Sequence, residues 1–211
     1  MGMKATTLTA ALFVSVVPMI AQAQDFSADV VYLDTNNPNA PAAGTVSASH
    51  ASSRLYVSKD KIRLETNGLT GAILLADRGE HTAAVLQPKK KAYQPLASGP
   101  SEYFRVENAD DACASWQVLA EQKIVCEKVG PEVVNGRETV KYVNKVALET
   151  ASAAIWVDKT LKFVIKWQAG GTAAELRNIK EERQAADLFA LPSDYRLLAP
   201  QKATSKGFPH R

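Results

Sequence analysis

The sequence predicts a mainly β protein of about 11 strands joined by consecutive hairpins, with one or two short helices. Three observations predict it. From Asp25 onward apolar and polar residues alternate in short runs, the period of half-buried strands. Turn formers such as Lys-Asp, Asn-Gly, Asp-Arg-Gly and Pro-Lys separate the runs. Helical spacing is confined to Asn108–Ala120 and a turn near Ala185–Phe189. So many hairpin-linked strands with so little helix exclude a βαβ protein. Strand pattern alone leaves a sandwich, a closed barrel or a strongly curved single sheet.

The first 23 residues stand apart. Lys4 is their one charge, an apolar run covers Leu8–Val17, and Ala21-Gln22-Ala23 precedes Gln24. A positive start, a short apolar stretch and a small-x-small site read as a secretory signal peptide cleaved after Ala23. Ten or so apolar residues are too few to span a bilayer, which needs about 20. The expected mature chain, residues 24–211, is exported to the periplasm. Its body, 24–198, is read as one domain, followed by a flexible tail, 199–211, carrying Lys202, Lys206 and Arg211. The chain's formal charge of +3 is thus partly terminal, which argues against a nucleic-acid surface.

The strands follow in order. DFSADVVYL puts Phe26, Ala28, Val30 and Tyr32 on one face. The Asn- and Pro-rich segment DTNNPNAPAAG breaks the chain. TVSASHA, SRLYVSK, KIRLETN, GAILLAD, HTAAVLQP and KAYQPL continue as a meander, with Leu55/Val57 and Ile62/Leu64 alternating against Arg54/Tyr56 and Arg63/Glu65. Asn108 or Asp110 can cap a short helix carrying Cys113, Trp116 and Leu119. IVCEKVGPEVV and RETVKYVNKVAL flank Asn135-Gly136, the strongest short hairpin signal, because both residues tolerate the positive φ of a type I′ turn. AAIWVD, FVIKWQA and TAAELRNIKEER complete the series.

Chemistry-bearing motifs are few. The histidines, His50, His81 and His210, are scattered, and no G-x-S-x-G elbow presents a serine, so nucleophilic catalysis has no support. Two cysteines 13 apart lack the close pairing of a zinc site. No phosphate-binding glycine loop occurs, so no ATP site, cofactor or metal is expected. Asp110-Asp111 and Glu181-Glu182 read as a helix start and a solvated strand end. Pro88–Lys91 is the one basic run, a charged turn that could touch lipid headgroups. Trp116, Trp156, Trp167, Tyr32, Tyr56 and Tyr93 are aromatic enough to stack on a ligand but suit a core equally. In an exported protein without C-x-x-C, Cys113 and Cys126 are expected to form a disulfide. A ring of that size contributes about 3 kcal/mol in the loop-closure picture.

Taken together, CASW with CEKVGPEVVNGRETVKY, then WVDKTLKFVIKW, AELRNIK and DLFALPSDY, resembles a family of exported bacterial proteins of unknown function. That family lies in the lipoprotein-carrier superfamily of outer-membrane sorting proteins. YVSKDKIRLE and LQPKKKAY fit the earlier half of the same pattern, so the resemblance spans roughly Phe26 to Leu197. It implies an open half-barrel, a strongly curved antiparallel sheet with short helices over its concave face. It also implies a non-enzymatic protein that holds a lipid or a lipoprotein acyl chain, with transient contact to membrane surfaces. Relatives of this fold sense envelope stress or bind lipids, and the alternative is an envelope protein-interaction or stress-sensing module with no lipid cargo. Two departures stand out: no clear helix precedes the first strand, and Asp194 stands where the family often has Gly. The residues expected to line the concavity are Phe26, Val30, Leu55, Val57, Ile62, Leu64, Phe163, Ile165 and Trp167.

Overall fold

In the computed structural model, residues 25–34, 53–66, 71–96, 103–119, 124–146, 152–169 and 172–198 are described. The expectations for the signal peptide, for TVSASHA and for the basic tail lie outside them. Among the described residues there are twelve strands, β1 (Phe26–Asp34), β2 (Ser53–Ser58), β3 (Lys61–Glu65), β4 (Ile73–Asp77), β5 (Thr82–Gln87), β6 (Ala92–Leu96), β7 (Ile124–Val134), β8 (Arg137–Val146), β9 (Ser152–Asp158), β10 (Phe163–Ala169), β11 (Thr172–Glu181) and β12 (Arg196–Leu197). One helix, α1 (Ala112–Leu119), is preceded by a 3-10 turn at Ala109–Asp111, where the Asn108 side chain accepts from the Asp110 N–H. Capping by Asn108 is what the sequence suggests.

All twelve strands form one open, curved sheet in the order β12-β6-β5-β4-β3-β2-β1-β11-β10-β9-β8-β7. Two meanders, β1–β6 and β7–β11, are joined where β11 pairs with β1. Every pair is antiparallel except β12 with β6, which is parallel. The sequence showed no strand in YRLL because two residues cannot display a period. The Asn135-Gly136 turn has φ of 50° and 77°, the left-handed geometry that these two residues accept most readily.

Register defines two faces. On the inner face Phe26, Val57, Ile62, Ala76 and Ala83 form one cross-strand row, and Ala28, Leu55, Leu64, Leu74 and Val85 the next. On the outer face Arg177, Asp29, Arg54 and Glu65 lie side by side, alternating in sign. The Asp29 carboxylate accepts from Arg54 at 2.6 Å and from Asn178 at 2.7 Å. Burial opposes ionisation of Asp29, but those two donors outweigh it and hold its carboxyl below the usual range. A self-neutralised row of this kind keeps the outer face wet without making it a surface of one sign.

The inner face carries two packed clusters. One gathers Phe26, Val30, Leu55, Val57, Ile62, Phe163, Ile165 and Leu176. The other lies under α1, where Trp116 meets Tyr142 edge-on at 5.4 Å. Tyr142 donates its hydroxyl hydrogen to the Ala109 carbonyl at 2.8 Å, and Trp116 donates its indole N–H to the Tyr103 carbonyl at 2.8 Å. The Cys113–Cys126 disulfide then ties α1 to β7 with the Cα atoms 5.5 Å apart. The second helical turn, Ala186–Phe189, sits on the other side, since Arg63, which alternates with Ile62 and Leu64, donates to the Leu188 carbonyl at 2.9 Å.

The two ends of the sheet differ. At one, β12 covers the edge of β6. At the other, β7 is the outermost strand, and its pairing with β8 is interrupted by a bulge between Lys128 and Gly130, followed by Pro131. A bulge and a proline remove a flat row of donors, which discourages another strand from adding there.

Candidate functional site

The candidate site originates where β10 and β11 part. They pair only over Lys166–Ala169 with Thr172–Glu175. Beyond that point residues 104–106 take up the free edge of β10: the Val164 N–H donates to the Phe104 carbonyl at 2.7 Å, and the Val106 N–H to the Lys162 carbonyl at 2.9 Å. The Asn135 side chain donates to the Leu176 carbonyl at 3.1 Å, satisfying one of the β11 groups that β10 has left. This arrangement fixes Phe104 over the inner face, where it stacks on Phe163 at 5.9 Å and meets Trp167 edge-on at 5.4 Å.

Between this aromatic wall and β1–β4 lies a cavity of about 60 Å³. It is lined by Val30, Tyr32, Leu55, Ile62, Leu64, Leu74, Phe104, Phe163, Val164, Trp167 and Leu176. Val30, Leu55, Ile62, Phe163, Val164 and Leu176 are buried and make the floor. Tyr32, 59% exposed, and the half-buried Leu64, Leu74 and Trp167 make the rim. The rim lies at the sheet end formed by the C-termini of β1, β3 and β10 and the N-termini of β4 and β11. Among the described residues the lining holds no charged side chain and offers dispersion and desolvation, with the Arg105 guanidinium 5.7 Å from the centroid of the Phe163 ring.

Of the nine residues expected from the sequence, Val30, Leu55, Ile62, Leu64, Phe163 and Trp167 line this cavity. Phe26, Val57 and Ile165 do not; all three are fully buried in the packed core beside it. Phe26 fills the space against the edge of Phe163, with centroids 5.1 Å apart. Leu74, Phe104, Val164 and Leu176 also line the cavity and are not among the sequence candidates, and Tyr32, one of the aromatics able to stack on a ligand, lines it without being one of the nine. Tyr32 shares its strand face with Val30, so alternation alone points to it. Phe104 lies in an irregular segment whose position depends on the split of β10 from β11, and nothing local in the sequence signals that.

The other polar clusters are structural. Arg137 pairs with Asp158 and Glu181, while the Asp158 carboxylate also accepts from the backbone N–H groups of Thr160 and Leu161, closing the β9–β10 turn. Among the described residues no group of three His, Cys, Asp or Glu side chains could hold a metal ion. Among the same residues no helix is long and apolar enough to cross a membrane.

No protein-family model and no curated protein matches the chain. Among solved structures it is similar to an uncharacterized conserved protein from Thermus thermophilus, at 9% identity and a TM-score of 0.51, covering 83% of this chain and 90% of that one. It is also similar to PNGF-II, at 12% identity and a TM-score of 0.51 over 82% of this chain. This chain spans 30% of the length of PNGF-II. A LolA superfamily protein from Nitrosomonas europaea aligns at 9% identity, covering 80% of this chain and 90% of that one, with a TM-score of 0.33. At the identities of the first two the likeness is one of fold, and the third superposes too loosely to carry an argument.

Proposed function

We propose that the protein is a non-enzymatic, exported binding module that takes the apolar end of a lipid, or of a lipoprotein acyl chain, into this cavity. The observation that supports it is the lining: ten of the eleven residues carry no side-chain polar atom other than the Trp167 indole N–H, and Tyr32 stands at the rim. An apolar concavity with few convergent polar groups is the usual form of a hydrophobic ligand site. The cleavable leader read from residues 1–23 supports the exported location.

Size sets what such a ligand presents. A water-sized probe occupies roughly 10–15 Å³ on this measure, and drug-sized ligands occupy pockets of roughly 300 Å³ or more. A cavity of about 60 Å³ therefore holds a few methylenes, and the remainder of a long chain runs out past Tyr32 and Trp167. The test is uptake of a fluorescent acyl probe, together with native mass spectrometry of gently purified protein. Leu176→Trp, which fills the floor, abolishes uptake in this reading. Uptake that is absent in the wild type, or unchanged in Leu176→Trp, overturns it.

One observation favours a second reading, a protein-interaction or stress-sensing module without lipid cargo. Val125, Val129 and Val133 on β7 are 59%, 54% and 72% exposed, and Val118 on α1 is 73% exposed. A small cavity with apolar side chains presented elsewhere suits a protein contact. Absence of acyl-probe uptake with retained binding to an envelope protein would select it.

A further inference from the structure

The 3-10 turn Pro88–Lys90 joins β5 to β6, and β12 closes onto β6 beside it. The Arg196 N–H donates to the Lys91 carbonyl at 2.9 Å and the Leu198 N–H to the Tyr93 carbonyl at 2.8 Å, so β12 is held against this corner. Lys89, Lys90, Lys91 and Arg196 are all exposed there. Lys91 is neutralised by Asp194 at 2.9 Å, whereas Lys89, Lys90 and Arg196 have no carboxylate partner among the described residues. Large apolar side chains accompany them: Leu197 is 58% exposed, and Leu191, in the segment leading into β12, 44%. What sets this corner apart is the clustering: three such cations gather on one turn and the strand end beside it, next to the exposed Leu197.

We propose that this corner is a docking surface for an anionic lipid bilayer. Lys89, Lys90 and Arg196 complement the negative headgroup layer, and Leu197 is placed to enter the boundary beneath it. The edge strand suits the task because residues 196 and 197 point to opposite sides of a sheet only one strand thick at that point. A strand edge can enter the headgroup layer where a broad face would have to displace it.

The corner is at the cavity's end of the sheet. The C-terminus of β5 and the N-termini of β6 and β12 lie at the end where β1 and β3 finish and β4 begins, the end that carries Tyr32, Leu64 and Leu74. β6 is two strands from β4, about 10 Å at the usual spacing. Docking through Lys89, Lys90 and Arg196 therefore turns the cavity rim toward the membrane. The docking surface stands on its own residues and does not depend on what the cavity holds.

The test is sedimentation of the full chain with vesicles of phosphatidylglycerol in phosphatidylcholine, against phosphatidylcholine alone. The wild type binds the anionic vesicles, and binding falls as salt is raised. Each surface charge near a membrane changes partition about fivefold, so Lys89→Gln/Lys90→Gln/Arg196→Gln together lower it on the order of 100-fold. Leu197→Ser weakens the binding that persists at high salt. Lys159→Gln/Lys162→Gln, at the far end of the sheet, and Lys202→Gln/Lys206→Gln, outside the described residues, leave most of the binding intact. Circular dichroism checks that each variant folds. No binding by the wild type, equal loss in the far-end pair, or loss carried by the 202/206 pair alone overturns the proposal. Acyl-probe uptake measured without vesicles reads the cavity separately, so failure of one is distinguishable from failure of the other.

Discussion

Trp156 donates its indole N–H to a Glu132 carboxylate oxygen at 2.5 Å. The Lys141 and Lys166 ammonium groups flank the same ring at 4.9 and 4.8 Å, and Lys141 also pairs with Glu132 at 3.0 Å. These charged neighbours flank a tryptophan that is 4% exposed and belongs to the buried cluster with Phe163 and Ile165. The hydrogen bond from Trp156, and then that from Lys141, holds the Glu132 carboxyl below the ordinary carboxylate range.

That shift has a sign in stability. A carboxyl with a lowered native pKa stabilises the fold fully above its unfolded value, and the contribution disappears as pH falls through the native value. Glu132→Gln therefore makes the protein less stable at neutral pH and flattens the loss of stability on acidification below about pH 5. Tryptophan fluorescence in urea titrations at several pH values reads both effects. Parallel pH profiles for the two proteins would contradict the assignment.

Cys113→Ala/Cys126→Ala removes the tie between α1 and β7 and costs about 3 kcal/mol, measured as a lower Tm. Acyl-probe uptake is retained, because neither α1 nor β7 lines the cavity. A variant as stable as the wild type contradicts the first expectation, and loss of uptake in a folded variant contradicts the second.

Tyr142→Phe deletes the hydroxyl that donates to the Ala109 carbonyl and accepts from the Ala112 N–H at 3.3 Å. Both backbone groups are then left in a buried site, at a cost of about 1–3 kcal/mol. Chemical denaturation gives the value directly, and a change within error would show that water reaches the Ala109–Ala112 turn.

Pro131→Val restores a backbone donor in the outermost strand β7. With Val125, Val129 and Val133 already exposed there, self-association rises with concentration in sedimentation velocity. An unchanged monomer–oligomer balance would show that the bulge at Lys128–Gly130 protects the edge by itself.

Sequence alternation determined strands β1–β11, their hairpin order and the Asn135-Gly136 turn, because a period of two and a positive-φ dipeptide are local properties. It also placed Val30, Leu55, Ile62, Leu64, Phe163 and Trp167 on strands whose apolar faces turn inward. Tertiary structure alone decided that β11 pairs with β1, that β10 and β11 separate, and that Phe104 enters the gap. These depend on which distant edges meet, which no short window of sequence encodes. The same holds inside the core: Phe26, Val57 and Ile165 have the residue type and period of cavity residues. Whether an inward apolar side chain touches a void or a neighbour depends on the volumes packed against it, and Phe26 meets Phe163 where Val30 meets open space.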